Sequence, residues 1–294
     1  MILVTGGTGF IGQVLIRHLA TMGRPVRILL RPSPKSPNLP VGVTVDAAVS
    51  SLKDERGLLA AMKGVDVVYH LVGSERLGSR SDLTAVDVEG TEAVVRAAVQ
   101  AGIEHIIFLS HLGADRASAY AVLKAKAIAE GFITQSGLNY TILRTAPVYG
   151  PNDHFTTSLA RMLRLSPAFF LMPGDSGTQI QPIWVDDLVT CMTLILDDAG
   201  ARNQIYEIGG GEFFTFRQII EILLKALNLK RRLVPIPPAY LRILALLVEQ
   251  AAPRFPISVY WLDYLAADRT CPLNSLPRQF SLMPARFAHQ LDYL

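Results

Sequence analysis

Two side chains capable of proton transfer stand four residues apart near the middle of the sequence. Tyr120 and Lys124 occur in the stretch AYAVLKAKA, whose composition is typical of a helix. Residues four apart lie on one face of a helix, so the lysine ammonium would lie beside the phenol. A neighbouring ammonium favours the phenolate and lets a tyrosine exchange protons near neutral pH, and the same lysine can hydrogen-bond a ribose. Because the pattern is also common by chance, it indicates an acid–base pair only where a nucleotide-binding sheet precedes it.

A glycine-rich turn at the start of the sequence indicates such a sheet. Met1–Gly12 reads MILVTGGTGFIG, and the residues that follow have helical spacing up to Gly23. In a strand–turn–helix unit, Gly6 allows the tight turn, Gly9 lets the backbone approach a pyrophosphate, and Gly12 lets the helix pack closely on the strand. The N–H groups and dipole of the helix N-terminus then hold the phosphates. The alternative is an ordinary glycine-rich turn, but with strand, helix and following strand in place the sequence predicts a dinucleotide site.

The residue after the second predicted strand indicates which dinucleotide binds. A site for NAD has an acidic residue there, which accepts hydrogen bonds from the ribose hydroxyls. This sequence has Arg31, followed by Ser33 and Lys35, and a guanidinium can bind a 2′-phosphate through charge-assisted hydrogen bonds. We therefore predict NADP(H) as the preferred cofactor and NAD(H) as the second choice. The alternative is that Arg31 is an ordinary surface arginine.

Strands and helices alternate through the first half of the chain, which predicts an α/β fold with a Rossmann-type, doubly wound parallel sheet. After the first strand, the predicted elements are strands 26–30, 41–45, 65–71, 105–110 and 140–143 and helices 54–62, 85–101 and 119–135. Beyond Gly150 the alternation loosens, as in a smaller, mostly helical C-terminal lobe. We expect residues 1–150 to form the NAD(P)-binding domain, to which the chain returns at roughly 178–208. Residues 151–177 and 209–294 would form a small substrate or partner lobe.

The composition excludes several function classes. Half of the residues are hydrophobic and 18% are charged, which fits a folded chain with a large core. A net charge of +3 without a long basic run gives no reason to expect a nucleic-acid partner. Cys191 and Cys271 provide no disulfide framework and the six histidines show no ligand spacing, so we predict no metal and a cytoplasmic location. The first strand begins at residue 2, and Arg242 and Glu249 interrupt the longest apolar stretch, so we expect neither a leader peptide nor a membrane span.

The final third of the sequence contains the most apolar predicted helix, Ala239–Ala252. Its apolar residues cover more than one face, and such a helix is either buried or lies against another apolar surface. We therefore expect the segment to bind a protein partner or a membrane surface, which would place the chain at the inner face of a membrane. The flanking Arg242, Arg254, Tyr260 and Trp261 would suit a lipid headgroup boundary. The alternative is that the helix roofs a substrate pocket.

Six motifs follow one another along the chain: TGGTGFIG at 5–12, VDVVYHLVG at 65–73, VEGT at 88–91, YAVLK at 120–124, RTAPVYGP at 144–151 and QPIWVDDLV at 181–189. In this order they resemble the atypical and extended short-chain dehydrogenase/reductase superfamily, over essentially the whole chain. The resemblance implies that Tyr120 and Lys124 are the catalytic pair. It also implies that Pro147 and Val148 lie beside the nicotinamide, and that the other cofactor contacts come from Gly6, Thr8, Gly9, Phe10, Ile11, Gly12, Leu71, Gly73 and Lys124.

Two further segments narrow the resemblance, and three positions depart from it. SHLGAD at 110–115 and IYEIGGGEFFTFRQII at 205–220 resemble bacterial relatives of the NADPH-binding accessory subunit of respiratory complex I, close to the NmrA-like proteins. The catalytic serine of the superfamily corresponds best to His111, with Ser110 one residue earlier. The asparagine of its N-V-x-G-T segment is Asp87 here, and the aspartate that meets the adenine is Ser51. With this incomplete pattern, the sequence leaves open whether the chain is an enzyme, although it favours one.

Three functions fit these observations. The favoured hypothesis is an NADP(H)-binding oxidoreductase that acts on a small, largely apolar carbonyl or quinone-like substrate, supported by Tyr120 and Lys124. The second is an NADPH-binding structural or redox-sensing subunit without turnover, supported by His111 at the serine position. The least favoured is a sugar-nucleotide epimerase or dehydratase, because the connection from Ser110 to Tyr120 is short and the C-terminal lobe is apolar.

Overall fold

The computed structural model describes residues 1–34, 36–252 and 259–294, so Lys35 and Arg254 lie outside the described residues. The chain divides into two compact units. The first comprises Met1–Ser74, Asp82–Arg144 and Leu188–Glu207, and the second comprises Glu75–Ser81, Thr145–Asp187 and Ile208–Leu294.

The strands of the described residues are short, and the shortest, of two residues each, belong to the second unit. They are β1 Ile2–Thr5, β2 Val26–Leu30, β3 Asp46–Val49, β4 Val67–His70, β5 His105–His111, β6 Asn139–Thr145, β7 Val148–Tyr149, β8 Phe169–Pro173, β9 Gln179–Ile180, β10 Ile183–Trp184, β11 Gln204–Ile208, β12 Phe214–Thr215 and β13 Arg232–Ile236.

The α-helices are α1 Phe10–Thr21, α2 Glu55–Ala61, α3 Glu89–Ala101, α4 Ala121–Thr134, α5 Thr156–Leu165, α6 Val185–Asp197, α7 Phe216–Ala226, α8 Pro238–Ala251, α9 Val259–Tyr264 and α10 Ser275–Phe280. A π-helical turn, Leu83–Val88, leads into α3. In the part of the chain that the structure describes, no helix is both long and apolar enough to cross a lipid bilayer.

The core of the first unit is a seven-stranded sheet with the order β3-β2-β1-β4-β5-β6-β11. The pairs from β3 to β5 are parallel, and the order from β3 to β6 is that of the Rossmann fold. Leu3, Val68, Ile106 and Ile142, one from each of four adjacent strands, are fully buried and pack in one cluster with Val94 of α3. The predicted fold class is confirmed.

The edge strand β3 lies later in the sequence than predicted. Instead of Val41–Val45, the residues Asp46–Val49 pair with β2, because Val41 and Gly42 form a turn in which Gly42 has a φ of +81°. The ion pair of 2.6 Å between Arg27 Nε and Asp46 Oδ2 fixes this edge. This edge strand, Asp-Ala-Ala-Val, is largely exposed and has no alternation of apolar and polar residues, so the sequence alone does not locate it.

The second unit is mainly helical and has three two-stranded sheets, β7–β10, β9–β12 and β8–β13. The segment 179–184 forms two short strands, β9 and β10, in different sheets. A capping box begins α7, since the Thr215 side chain accepts from Gln218 N and the Gln218 side chain accepts from Thr215 N. The core of this unit is rich in large apolar side chains, among them Tyr149, Phe170, Phe216 and Phe287.

Candidate functional site

The glycine-rich turn between β1 and α1 leaves its backbone open to a ligand. Gly9 is the N-cap of α1 and no side chain caps this end of the helix among the described residues. Gly9 N donates to Gly6 O at 2.9 Å, which closes the turn, and Thr8 at its tip is exposed while Phe10 and Ile11 are half-buried. A helix N-terminus with uncapped N–H groups is a binding site for anions such as a pyrophosphate.

Two glycines of this turn lie where a side chain would not fit. A Cβ atom on Gly12 would lie 2.5 Å from Gly6 O, and one on Gly6, whose φ is +77°, would lie 2.8 Å from the carbonyl of Leu71. Leu71 follows β4 and its N–H donates to Thr5 O. The turn and the segment Leu71–Gly73 therefore line one narrow backbone cradle, and this fits the pyrophosphate of a dinucleotide.

The residues after β2 and β3 are placed to continue this site along the sheet. Arg31 follows directly after β2 and is exposed. Ser51 lies just after β3 and is half-buried, and its Oγ accepts from Lys53 N at 3.2 Å. Both positions are at the carboxyl ends of parallel strands, where doubly wound sheets bind their ligands.

The last residue of β4 is a buried histidine, His70. His70 Nδ1 lies 2.7 Å from Thr5 Oγ1, and its Nε2 lies 3.0 Å from Thr91 Oγ1. Thr91 Oγ1 donates to Asp87 O, so it accepts from Nε2–H of His70, which leaves Nδ1 as the acceptor. Burial, followed by the charge of Lys126, lowers the pKa of His70 to about 3. The imidazole is therefore neutral at physiological pH and joins β1, β4 and α3.

A buried ion pair lies beside this histidine. Lys126 Nζ of α4 lies 3.0 Å from Asp87 Oδ1, and both side chains are almost fully buried. The other carboxylate oxygen of Asp87 accepts from Ser74 N at 3.0 Å and Ser74 Oγ at 2.7 Å. Asp87, which replaces the asparagine of the superfamily, therefore connects α4 to the loop that continues from Leu71–Gly73.

Ser110, one of the two candidates for the position of the catalytic serine, belongs to a second buried polar network. Ser110 is buried and its Oγ donates to Glu130 Oε1 of α4 at 2.6 Å. The same carboxylate accepts two hydrogen bonds from Arg144 of β6, at 3.0 and 2.7 Å. His111 points to the opposite face of β5, since successive strand residues alternate; it is half-buried and its Nε2 atom is buried.

The structure places Tyr120 before α4 and not inside it. Tyr120 is the N-cap of α4, with φ −90° and ψ 117°, and it is half-buried. Lys124 N donates to Tyr120 O in the first turn, and the Lys124 side chain is exposed. The backbone conformation at Tyr120 is extended, so helical spacing does not set the direction of its side chain. The two residues thus stand at one end of α4, while Lys126 and Glu130 lie on its buried face.

The remaining predicted cofactor residues belong to the second unit. Val148 pairs with Ile183 in the two-stranded sheet β7–β10, and Pro147 O accepts from Ile183 N at 3.0 Å. Among the described residues, no group of histidine, cysteine or acidic side chains could hold a metal ion.

The second unit contains an apolar pocket of about 390 Å³. Large apolar side chains from α5, β8, α7, α8 and α9 line it, among them Met162, Phe170, Phe216, Leu241 and Trp261. Two serines, Ser158 and Ser166, are the hydroxyl side chains among the described lining residues. None of the described residues that line it carries a charge. A pocket of this size and chemistry can hold a small neutral, apolar ligand.

Comparison with known proteins yields relatives of two kinds. The chain is 29% identical over 241 residues to NADH dehydrogenase [ubiquinone] 1 alpha subcomplex subunit 9 of Arabidopsis thaliana, covering 80% of this chain and 60% of the plant protein. It is also 29% identical over 274 residues to sterol demethylase protein B of Methylococcus capsulatus, covering 86% of this chain and 82% of that protein. The chain thus spans well under two thirds of the plant subunit.

Solved structures share the fold. The NADPH-dependent quinone oxidoreductase QOR2 of Escherichia coli, complexed with NADPH, superposes with a TM-score of 0.78 at 18% identity, covering 100% of this chain and 99% of that one. A family model described as NAD(P)H-binding matches residues 6–160, from the glycine-rich turn through α4 and into α5. The chain therefore belongs to this NAD(P)H-binding family.

Proposed function

We propose that this protein is an NADP(H)-dependent oxidoreductase that reduces or oxidises a small, largely apolar carbonyl or quinone-like substrate. The observation that carries the proposal is the backbone cradle at Gly6, Gly12 and Leu71, into which no Cβ atom would fit. Arg31 at the end of β2 supports NADP(H) over NAD(H), because its exposed guanidinium occupies the place of the acid that binds ribose hydroxyls. NAD(H) is the second choice.

In this proposal the residues of the first unit have separate roles. Gly6 to Gly12 bind the pyrophosphate through backbone N–H groups, and Ser51 borders the adenine. When bound, the cofactor supplies or accepts a hydride. Tyr120 donates the proton to the substrate oxygen during reduction, and Lys124 hydrogen-bonds the ribose. Because the hydroxyl of Ser110 donates to Glu130, we assign the second hydrogen bond to the substrate oxygen to His111, the next residue of β5.

The apolar pocket of the second unit supports the substrate class. Its lining has no charged side chain among the described residues, so it offers nothing to neutralise a sugar nucleotide's diphosphate. Two relatives with apolar ring compounds in their names, a sterol demethylase protein and a quinone oxidoreductase, agree with this class. The sugar-nucleotide epimerase or dehydratase is accordingly the least favoured function.

The alternative is an NADPH-binding subunit of a larger assembly that does not turn over. The similarity to the complex I subunit of Arabidopsis thaliana favours it, as does the sequestered hydroxyl of Ser110. Cys191 and Cys271 are buried and are not joined in a disulfide, which supports the proposed cytoplasmic side for either function.

Cofactor titration followed by a turnover assay tests the proposal. Purified protein should bind NADPH, and Gly12→Ala should abolish detectable binding because the new Cβ would collide with Gly6 O. Gly23→Ala is the matched control: it lies at the other end of α1, has a φ of +70° and has no neighbour within 4 Å. It should cost about 1–2 kcal/mol of stability and leave NADPH binding intact.

Ketones and quinones then distinguish the two functions. Oxidation of bound NADPH by a member of either class supports the reductase. Tight NADPH binding that no ketone or quinone changes would favour the non-turnover subunit. Failure of the unmodified chain to bind either nucleotide would contradict both.

A further inference from the structure

The apolar pocket of the second unit has exposed apolar side chains at its rim. Leu165 of α5 and Phe169 of β8 line the pocket and are 57% and 52% exposed, and Leu244 of α8 lines it from another side and is also exposed. Large apolar side chains that line a pocket and also face water cost free energy unless something apolar covers them.

Helix α8 extends this exposed rim. Tyr240, Ile243, Leu244 and Leu247 are exposed, and their spacing places them on one face of the helix. The opposite face is buried through Leu241 and Ala245. The helix is therefore not enclosed by the second unit, and its outer apolar face continues directly from the pocket lining at Leu244.

Basic residues are concentrated beside this rim. The segments 156–173 and 222–236, which contain α5, β8 and β13, carry six basic residues and no acidic one: Arg161, Arg164, Lys225, Lys230, Arg231 and Arg232. The whole chain has a net charge of only +3, so its remaining residues have a net charge of −3. These two segments, which contribute to the rim, therefore carry a net charge of +6, whereas the rest of the chain is slightly acidic.

The structure places these charges next to the exposed apolar residues. Arg232 pairs with Phe169 in the parallel register of β8 and β13, and Arg164 directly precedes Leu165. Arg231 Nε donates to Leu163 O at 3.2 Å, which ties this basic segment to α5. Exposed apolar side chains surrounded by basic ones are complementary to an anionic lipid bilayer, in which the former reach the acyl region and the latter the headgroups.

We propose that the second unit docks on an anionic membrane surface through this rim, so that its pocket opens toward the lipid and takes an apolar ligand from it. A bilayer is a better partner for this rim than a protein is, because the exposed apolar and basic side chains are interspersed around the mouth of the pocket. Docking goes beyond the proposed oxidoreductase function and does not require turnover, so the two can fail separately.

Flotation with lipid vesicles tests the proposal on the full chain. The protein should float with vesicles of phosphatidylcholine and phosphatidylglycerol, and much less with phosphatidylcholine alone. The double variant Arg164→Gln/Arg232→Gln should bind the anionic vesicles about 10- to 30-fold more weakly, since each basic residue at the surface contributes about a factor of five. Arg56→Gln/Lys63→Gln, with the same change of net charge on exposed residues of the first unit, should bind as the unmodified chain does.

A second pair of variants tests the apolar contribution. Ile243→Gln/Leu247→Gln, at positions 56% and 59% exposed, should weaken flotation without unfolding the chain, because exposed substitutions change stability little. Val41→Gln/Val49→Gln removes exposed apolar side chains of the first unit and should change nothing.

Three results would contradict the proposed docking. The first is that the protein does not float with anionic vesicles, and the second is that the rim variants and their controls lose vesicle binding equally. The third is that the protein is a dimer without detergent and that the rim variants dissociate it, which would assign this face to a second copy. Oxidation of NADPH by a water-soluble ketone should be the same in all four double variants. Its absence in the unmodified chain would contradict the proposed reaction and leave the docking result unaffected.

Discussion

The buried polar pairs of the first unit and the apolar pocket of the second unit differ in what their side chains require. In the first unit, charged and hydroxyl side chains are buried in pairs near the carboxyl ends of the strands, as with Asp87 and Lys126 or Ser110 and Glu130. In the second unit, the pocket is surrounded by apolar side chains, and no described residue that lines it is charged. Buried charge requires a partner, whereas apolar surface requires only exclusion of water.

This difference separates two kinds of recognition. Paired charges and a glycine cradle fix backbone positions closely, as a polar cofactor with fixed phosphates requires. An apolar pocket selects by shape and size and tolerates related ligands. We therefore expect changes at the paired charges and glycine cradle of the first unit to alter stability, cofactor affinity or rate, and changes in the pocket lining of the second unit to alter substrate affinity.

The largest expected effect is the loss of the buried cation of the first unit. Lys126→Met leaves the carboxylate of Asp87 buried without its partner, which should lower the free energy of unfolding by about 3–5 kcal/mol. Arg242→Met removes the cation of the Arg242–Asp263 ion pair in the second unit, which is half exposed. It should cost about 1 kcal/mol or less. Denaturant unfolding of both variants measures the difference.

A rescue variant distinguishes the charge from the packing. Lys126→Met/Asp87→Asn removes both charges and retains the hydrogen bond from Ser74 N to the side chain at position 87, so most of the lost stability should return. If Lys126→Met were as mild as Arg242→Met, the contrast between the two units would be wrong.

The sequence was sufficient for the architecture of the first unit. Apolar runs located β2 at Val26–Leu30 without error, and Gly102 and its left-handed φ of +70° ended α3 where predicted. Hydrophobic periodicity and a glycine at the end of a helix are local signals, so they can be read from the sequence without knowledge of the tertiary contacts. The exception is β3, whose position depends on pairing with β2.

The buried polar networks could not be predicted from the sequence, because they join residues that are far apart in the chain. Asp87 and Lys126 are 39 positions apart, and His70 contacts residues from β1 and α3. The available signal was the presence of Lys126 and Glu130, four apart, on the apolar face of α4 in AKAIAEG. A charged pair at core positions of a helix indicates buried partners but does not name them.

The next effect concerns rate. Tyr120→Phe removes the proposed proton donor and keeps the ring, so kcat should fall at least ~10²-fold while NADPH affinity is unchanged. Met162→Gln, which places an amide in the apolar pocket, should raise KM for an apolar substrate and leave NADPH affinity unchanged. Steady-state kinetics with both variants test whether rate and substrate affinity reside in different units.

Two outcomes would change the assignment. Full activity of Tyr120→Phe would require another proton donor, and His111→Gln would be the next variant to measure. Lys124→Met should weaken NADPH binding and lower kcat, because the proposed roles of its ammonium are to contact the ribose and the oxygen of Tyr120. Its side chain is exposed, so stability should change by less than about 0.5 kcal/mol, in contrast to Lys126→Met on the same helix.

The smallest effect concerns cofactor choice within the first unit. Arg31 is exposed at the end of β2, and charge-assisted hydrogen bonds to a 2′-phosphate contribute about 1.5–3 kcal/mol. Arg31→Ala should therefore weaken NADPH binding about ten- to a hundredfold and leave NADH binding unchanged, because NADH has no phosphate for the guanidinium to bind. Arg96→Ala, an exposed arginine of the same unit that pairs with Glu55, should change neither affinity. Titration of both nucleotides decides between a phosphate ligand and an ordinary surface arginine. An unmodified chain that binds NADH as tightly as NADPH, or an Arg31→Ala variant with the original preference, would leave Arg31 without a role in cofactor selection.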